Sequence, residues 1–119
     1  MNSDRKIAVI GLGYVGLPVA VHLGRHQNVI GFDIAIERIE ELKKGFDYSL
    51  ELSKTELSQA NILFTHDQHD LKQADCFIVS VPTPIDNANK PDLRHLLSAS
   101  KIVGECLKKG DIVIFESTV

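Results

Sequence analysis

The chain has 119 residues, enough for one domain with a single hydrophobic core and too few for a two-domain enzyme of the usual size. Its formal net charge is −3, from 13 Lys plus Arg against 16 Asp plus Glu, and the basic residues are scattered, so nucleic acid and anionic membranes are poor candidate partners. The apolar run after the charged N-terminus is soon broken by glycines, which fits neither a signal peptide nor a membrane span, and we expect a cytoplasmic protein.

Five short apolar segments predict five β-strands. Each is rich in Val, Ile or Phe and is mostly continuous instead of alternating, a pattern typical of strands that are buried on both faces of a parallel sheet. The segments are residues 6–10, 28–32, 61–65, 76–81 and 111–115.

Helical segments separate these strands. The spacing of apolar residues predicts helices over 14–25 and 35–44, and a longer helix over 92–109. Gly45 and Gly110 supply stop signals for the second and third of these helices. The longest helix carries an apolar stripe made of Leu93, Leu96, Leu97, Val103, Cys106 and Leu107.

Two less regular stretches complete the pattern. Residues 54–60 predict a short helix, and residues 66–74 predict a short helix or turn. Strands that alternate with helices through right-handed crossovers form a doubly wound sheet. The prediction is therefore an α/β fold of the Rossmann type, a mainly parallel sheet flanked by helices, in a single domain over residues 1–119.

A glycine-rich turn follows the first strand and opens the first helix. Gly11, Gly13 and Gly16, within VIGLGYVGLP, have the G-x-G-x-x-G spacing of dinucleotide-binding turns. Glycine allows the tight turn at the first position, lets a pyrophosphate approach the backbone at the second, and lets helix and strand pack closely at the third. The helix N-terminus adds N–H groups and a partial positive charge that attract phosphate. The triplet alone is a weak signal, and its context strengthens it.

An acidic residue ends the second strand at the distance that such a turn requires. Asp33 lies about 20 positions after Gly11, where a carboxylate accepts hydrogen bonds from the adenosine ribose and repels a 2′-phosphate, so the sequence predicts NAD over NADP. The alternative is that Asp33 caps the following helix. Arg38, about one turn further on, could lie beside the adenine and ribose, or could be solvated on an exposed helix face.

Polar residues also follow the fourth and fifth strands. The VPTP segment has two X-Pro steps that hold the backbone extended as it leaves the sheet. Because the carboxyl ends of parallel strands border the ligand crevice, Thr83 would face a cofactor, and the alternative is a rigid strand exit with no further role. Glu116, Ser117 and Thr118 follow the fifth strand, and we expect them to point toward the same crevice.

The cysteines and histidines form no recognisable catalytic or metal motif. Cys76 and Cys106 lie far from each other in the sequence, so we expect two buried thiols in a reducing compartment. His22 and His26 have helical spacing, as does a second pair after the third strand, but neither pair has a suitably spaced acidic or thiol ligand beside it. Solvated positions are therefore favoured, and we predict no metal.

Together these motifs resemble a known family. IAVIGLGYVGLPVA, VIGFDI, VSVPTPID, KPDL and KKGDIVIFESTV occur in the order seen in the N-terminal domain of the UDP-glucose/GDP-mannose dehydrogenase family. The chain is most similar to the branch of UDP-N-acetylglucosamine and UDP-N-acetylgalactosamine 6-dehydrogenases of bacterial polysaccharide synthesis. The resemblance implies two successive NAD-dependent oxidations, which carry the C6 alcohol of a UDP-sugar through an aldehyde level to the carboxylate.

The resemblance also implies roles for individual residues. Those implied in cofactor binding are Gly11, Gly13, Tyr14, Val15, Gly16, Asp33, Arg38, Thr83 and Thr118. The glycine turn would hold the pyrophosphate, with backbone and packing contacts from the Tyr and Val inside it. Asp33 would bind the adenosine ribose, and Arg38 would lie beside it. Thr83 would touch the cofactor, and Thr118 would lie near the nicotinamide and position a catalytic water.

The family's nucleophilic cysteine, its catalytic lysine and most of the sugar-nucleotide site belong to a later domain, and neither cysteine of this chain lies in the family's cysteine motif. We therefore expect a cofactor domain that binds NAD weakly and catalyses nothing alone, with a full-length homodimer formed through a helix beyond Val119. Two alternatives remain open: the cofactor domain of a β-hydroxyacid-type dehydrogenase, and a non-catalytic nucleotide-sensing module with a membrane partner.

Overall fold

Five parallel strands form the central sheet. The computed structural model describes residues 5–47, 52–85 and 87–116. Its strands are β1 (Ile7–Ile10), β2 (Val29–Phe32), β3 (Ile62–Thr65), β4 (Cys76–Val79) and β5 (Ile112–Phe115). They pair in parallel in the order β3-β2-β1-β4-β5. All five predicted strands are confirmed, each slightly shorter than its apolar segment.

The strand order creates a crevice at the carboxyl edge of β1 and β4. The chain passes from β1 to β2 and β3 on one side, then returns to form β4 and β5 on the other, and a crevice opens where this order reverses. Ile10 is in register with Phe32 and with Val79, so the residues after these strands are neighbours. Gly11 N–H donates to the Phe32 carbonyl at 2.8 Å, and Ser80 N–H donates to the Ile10 carbonyl at 2.8 Å.

Four α-helices are described. They are α1 (Gly16–Gly24), α2 (Ile36–Lys43), α3 (Lys54–Ser58) and α4 (Arg94–Cys106). A 3₁₀ helix, Gln68–Gln73, confirms the short helix or turn predicted between β3 and β4. The predicted α4 is too long at its carboxyl end, because Leu107 has an extended backbone with φ −66° and ψ 140°. Within the described ranges, none of the helices combines the length and the hydropathy needed to span a bilayer.

Each face of the sheet has its own hydrophobic core. On the face covered by α4 and the 3₁₀ helix, the core includes Ile10, Phe32, Leu71, Phe77 and Val103. On the face covered by the other three helices, it includes Val9, Leu17, Ile39, Leu42 and Ile78. Neighbouring strand residues therefore point to opposite cores. Helices on both faces confirm the doubly wound α/β architecture.

The burial of the edge strands differs from the prediction. β1, β2 and β4 are buried almost throughout, whereas most of β5 is exposed and β3 is only partly covered. Each of these two strands has a single neighbour in the sheet, so the prediction that all five are buried on both faces is wrong for them. The predicted stripe on α4 is also too wide, because Leu97 is 65% exposed while Ala99 and Val103 are buried.

Candidate cofactor-binding site

The glycine turn connects β1 to α1 at the crevice. Gly11 has a φ of +98°, which L side chains rarely adopt, and a Cβ there would lie 2.9 Å from the Ser80 carbonyl oxygen. A Cβ on Gly16 would overlap the carbonyl oxygen of Gly11. A Cβ on Gly13 would meet no described atom within 4 Å beyond its own chain neighbours. The first and third glycines thus satisfy steric demands of the fold, whereas the second borders open space.

The first turn of α1 has no side-chain cap. Val15 is the N-cap residue and makes no capping hydrogen bond through its side chain, and no acidic residue lies in the first turn. Tyr14 and Val15 are 72% and 40% exposed, respectively. The partial positive charge of the helix N-terminus is therefore not offset by an acidic side chain in this turn, and it favours an anionic ligand.

Asp33 lies directly after β2 and connects two turns. Its Oδ2 accepts a hydrogen bond from Leu12 N–H at 2.9 Å, and its Oδ1 accepts one from Ala35 N–H at 2.9 Å. Ala35, not Asp33, is the N-cap residue of α2, and Asp33 contacts the start of this helix through the Ala35 N–H. The hydrogen bond from Leu12 N–H shows that contact with α2 is not the whole role of Asp33. Because a carboxylate offers about four acceptor sites, Asp33 keeps the capacity to accept hydrogen bonds from ligand hydroxyls.

Arg38 connects α2 to the glycine turn. Its Nε donates to the Leu12 carbonyl at 2.8 Å. Its Nη1 donates to Asp47 Oδ1 at 2.9 Å and to Glu41 Oε2 at 3.3 Å. The Arg38 side chain is only 15% exposed, so the alternative of a solvated arginine is wrong. Its partner Asp47 also accepts a hydrogen bond from Leu52 N–H at 3.0 Å.

These groups form one side of a cleft of ≈ 420 Å³. The first side, here called the glycine wall, includes Leu12, Gly13, Asp33, Ile34, Ala35 and Arg38. The opposite side, here called the α4 wall, consists of Val81, Pro82, His95, Ser98, Ala99 and Ile102. The α4 residues were missed by sequence reasoning, because their position opposite the glycine wall depends on the packing of the crossover and no local motif indicates it.

The loop between β4 and α4 continues beyond the cleft lining. Thr83 is partly buried but is not among the lining residues, so its contact with a cofactor stays a prediction. Ile85 and Pro91 form an antiparallel bridge that closes the loop. At its end, the Arg94 guanidinium donates to Asp92 at 2.6 Å, and this hydrogen bond lowers the pKa of the Asp92 carboxyl to about 2.

The end of β5 reaches the same edge of the sheet. Glu116 N–H donates to the Val79 carbonyl at 2.9 Å, which continues the pairing with β4 as far as the crevice. Glu116 itself is exposed. Ser117 and Thr118 lie outside the described residues, so the predicted role of Thr118 stays a prediction.

Ser80 is a further residue that sequence reasoning missed. It follows β4 directly, is 7% exposed, and its Oγ has no hydrogen-bond partner among the described residues. Its backbone and Cβ pack against Gly11 and Gly16, so any larger side chain at this position would press on the glycine turn. Its place immediately before VPTP is the only sequence signal for it.

The cysteines are structural within the described part of the chain. Cys76 and Cys106 are both buried and unpaired, and burial raises the pKa of both thiols. Two buried thiols are therefore confirmed. Over residues 5–47, 52–85 and 87–116, no three His, Cys, Asp or Glu side chains are grouped in a way that could hold a metal ion.

Comparison with known proteins agrees with this geometry. Residues 5–119 match the UDP-glucose/GDP-mannose dehydrogenase family, NAD binding domain. The chain is 55% identical over 118 residues to UDP-N-acetyl-D-glucosamine 6-dehydrogenase of Pseudomonas aeruginosa, covering 98% of this chain and 28% of that protein. It is 53% identical over 116 residues to Protein CapL of Staphylococcus aureus, with 98% and 27% covered.

A solved structure gives the same result. The fold superimposes on a UDP-D-ManNAc dehydrogenase from Pyrococcus horikoshii with a TM-score of 0.88 and 36% identity, covering 96% of this chain and 28% of that one. The chain thus spans less than a third of the length of these relatives. The match over residues 5–119 decides against both the β-hydroxyacid and the nucleotide-sensing alternatives. The chain belongs to the UDP-glucose/GDP-mannose dehydrogenase family, of which it forms the NAD-binding domain.

Proposed function

We propose that the cleft binds the adenosine half of NAD, with the ribose at Asp33 and the pyrophosphate at the glycine turn. The residues fit this cofactor in two respects. The space beside Gly13 lets a pyrophosphate approach the backbone, and the first turn of α1 has no acid to repel it. Gly11, Tyr14, Val15 and Gly16 complete the turn, and in this proposal they contribute backbone N–H groups and packing.

The observation that carries the proposal is the geometry of Asp33. Backbone N–H groups of Leu12 and Ala35 orient its carboxylate, and both donors belong to residues that line the cleft. The remaining acceptor capacity suits the two hydroxyls of a ribose. A 2′-phosphate would be repelled by the same carboxylate, so NAD is preferred over NADP.

The adenine ring would lie between the two walls of the cleft. Ile34 and Ala35 offer apolar surface on one side, and Pro82 and Ile102 offer it on the other. Burial of a flat aromatic ring between such surfaces contributes affinity without sequence-specific hydrogen bonds. Arg38 would support the ribose site from behind Leu12, by the hydrogen bond to its carbonyl.

The nicotinamide would extend toward the ends of β4 and β5. NAD, when bound there, accepts a hydride. Thr83 would contact the cofactor on the β4 side, and Thr118 would position the catalytic water on the β5 side. Neither side chain would itself exchange electrons, so both are assigned binding and positioning roles.

We propose further that the full-length protein oxidises the C6 alcohol of a UDP-N-acetylhexosamine to the uronate with two NAD, water supplying the second carboxylate oxygen. The 55% identity to the UDP-N-acetyl-D-glucosamine 6-dehydrogenase of P. aeruginosa supports this substrate class. Residues 1–119 would be the cofactor domain. The substrate domain with the nucleophilic cysteine would follow, the full-length protein would be a homodimer, and the 119-residue chain alone would be inactive.

Calorimetric titration of this chain with NAD, NADP and UDP-N-acetylglucosamine tests the cofactor site. We expect binding of NAD, much weaker binding of NADP, and no response to the sugar nucleotide. Asp33→Asn should weaken NAD binding by about tenfold, because a charged acceptor is lost. The matched control is Glu37→Gln, an exposed acid on α2, which should leave the Kd unchanged. Equal affinity for NAD and NADP in the unsubstituted chain would contradict the role of Asp33.

The catalytic proposal is tested on the full-length protein. We expect two NADH for each UDP-N-acetylglucosamine consumed and a uronate product identified by mass spectrometry. UDP-glucose is the comparison substrate and should be oxidised far more slowly. Faster oxidation of UDP-glucose would overturn the proposed substrate class while leaving the cofactor site intact.

A further inference from the structure

The position of Arg38 raises a question about cofactor choice. In dinucleotide sites an arginine near the end of the second strand is the residue that accommodates the 2′-phosphate of NADP. This chain has such an arginine on the cleft lining, together with the ribose-binding Asp33. Asp33 opposes a 2′-phosphate and a free Arg38 would attract it. The preference between NAD and NADP therefore depends on which groups the Arg38 guanidinium already contacts.

The Arg38 guanidinium is held by two carboxylates and one backbone carbonyl, none of which belongs to Asp33. Nη1 contacts Asp47 at 2.9 Å and Glu41 at 3.3 Å, while Nε contacts the Leu12 carbonyl at 2.8 Å. The side chains of Asp47 and Glu41 are 0% and 13% exposed. Rotation of Arg38 toward a ligand phosphate would break its contacts with these two poorly solvated carboxylates, which is costly.

The charged side chains around Arg38 also disfavour the binding of a 2′-phosphate. Three acidic side chains, Asp33, Glu41 and Asp47, lie around the single basic side chain of Arg38 or contact the same turn. A 2′-phosphate, itself carrying about −1.5 to −2, would enter a site of net negative charge. Removal of Asp33 alone leaves two carboxylates that still neutralise the guanidinium.

We propose that Glu41 and Asp47 are specificity-determining residues, which keep Arg38 on the glycine turn and thereby prevent it from binding the 2′-phosphate of NADP. The preference for NAD is then set in two steps, by Asp33 directly and by the two acids through Arg38. Neither acid touches the cofactor, so both act as positioning residues. The inference rests on NAD binding at the cleft as proposed above.

The test compares the ratio of NADP to NAD affinity in a series of variants built on Asp33→Asn, by calorimetric titration. Asp33→Asn alone should bind NADP weakly. Adding Glu41→Gln to Asp33→Asn should raise the NADP affinity by about tenfold, since one competing charge close to the guanidinium is removed. The matched control adds Glu40→Gln to Asp33→Asn instead. This makes the same charge change at an exposed position of the same helix, and it should raise the NADP affinity far less. Adding Arg38→Ala to the Asp33→Asn/Glu41→Gln variant should abolish the gain.

The outcomes separate the inference from the cofactor site itself. Equal NADP gains with Glu41→Gln and Glu40→Gln, or a gain that survives Arg38→Ala, would overturn the inference. Failure of the unsubstituted chain to bind NAD would contradict the proposed site and this inference together.

A second variant tests Asp47 in the same way. Asp33→Asn/Asp47→Asn should give a gain in NADP affinity similar to that of Asp33→Asn/Glu41→Gln. If that variant fails to fold because Asp47 is buried, the Glu41 series still decides. The gain should shrink with added salt, which a merely structural change would not produce.

Discussion

The two walls of the cleft are built in different ways. The glycine wall is cross-linked by hydrogen bonds between segments that are distant in the sequence: Leu12 to Asp33, Arg38 to Leu12, and Arg38 to Asp47. The α4 wall consists mainly of apolar side chains, of which Val81 and Ile102 pack against the core. Hydrogen bonds depend on direction and apolar contacts do not. The glycine wall is therefore suited to ligand specificity, and the α4 wall is suited to contributing affinity.

The difference between the two walls predicts which residues of the cleft tolerate substitution. On the glycine wall, a displacement of a few tenths of an ångström affects several hydrogen bonds at once. On the α4 wall, a smaller side chain removes contact area and leaves the remaining geometry intact. Substitutions should therefore have large and specific effects on the glycine wall and small, graded effects on the α4 wall.

The largest expected effect disrupts the glycine turn, next to the glycine wall, at Gly16. Gly16→Ala places a Cβ on the carbonyl oxygen of Gly11, which is backbone and cannot rotate away, so the free energy of unfolding should fall by about 3 kcal/mol. Urea denaturation measures this change. The control is Gly104→Ala in α4, where the added Cβ would meet no described atom within 4 Å apart from its chain neighbours and the backbone of its own helix, so stability should rise by about 1 kcal/mol. Similar midpoints for the two variants would show that the close packing at Gly16 is not a constraint.

A second substitution separates binding from folding on the same wall. Gly13→Ala adds a Cβ in open space, so the unfolding free energy should change by less than about 1 kcal/mol. NAD affinity should fall by at least about tenfold, because the methyl group occupies the approach of the pyrophosphate. Calorimetry and urea denaturation on one preparation measure both quantities. Undiminished NAD affinity would place the pyrophosphate away from Gly13.

The α4 wall should respond more mildly. Ile102→Ala removes part of the apolar surface of the cleft, so NAD affinity should fall about threefold to tenfold and the unfolding free energy by about 1 to 2 kcal/mol. Leu97→Ala, on the same helix and 65% exposed, is the control and should change neither quantity appreciably. A loss of affinity from Ile102→Ala as large as that from Gly13→Ala would remove the contrast between the two walls.

The smallest expected effect concerns the two buried thiols, Cys76 in β4 and Cys106 in α4. Burial raises the pKa of Cys76 and of Cys106, which keeps both thiols neutral in the folded state. Their contribution to stability is therefore fully present below the unfolded thiol pKa of about 8.5, and it is lost progressively as the pH rises from that value through the higher folded pKa. Iodoacetamide should label neither thiol at pH 7.5 until denaturant is added, as mass spectrometry would detect. Rapid labelling of the native chain would contradict their burial.

Several features were predictable from the sequence for local reasons. Gly11 and Gly16 were identified because only glycine satisfies the φ and the packing at those positions, and that demand is independent of the rest of the chain. The strands were identified because short, mostly continuous apolar runs rich in Val, Ile and Phe are typical of strands in a covered parallel sheet. Their ends were less certain, since hydrogen bonding with neighbours decides where each strand stops.

The burial of individual side chains was less predictable. The apolar stripe of α4 included Leu97, yet that residue is exposed, because the helix turns only a narrow face toward the sheet. β5 has the composition of a buried strand but lies at the edge of the sheet, with Phe115 53% exposed. The apolar composition of a segment shows that it can be buried, but only the fold determines whether another element packs against it.

By itself the sequence determined the parallel α/β fold, the glycine turn and the acid after β2, because these depend on residue type and spacing within short segments. Only the tertiary structure brought the α4 wall opposite Asp33, paired Arg38 with Asp47, and buried the Ser80 hydroxyl beside the glycine turn. Each of these relations involves the direction in which a side chain points and the packing of one element on another. Such directions are set when the two cores form around the sheet, and no local pattern encodes them.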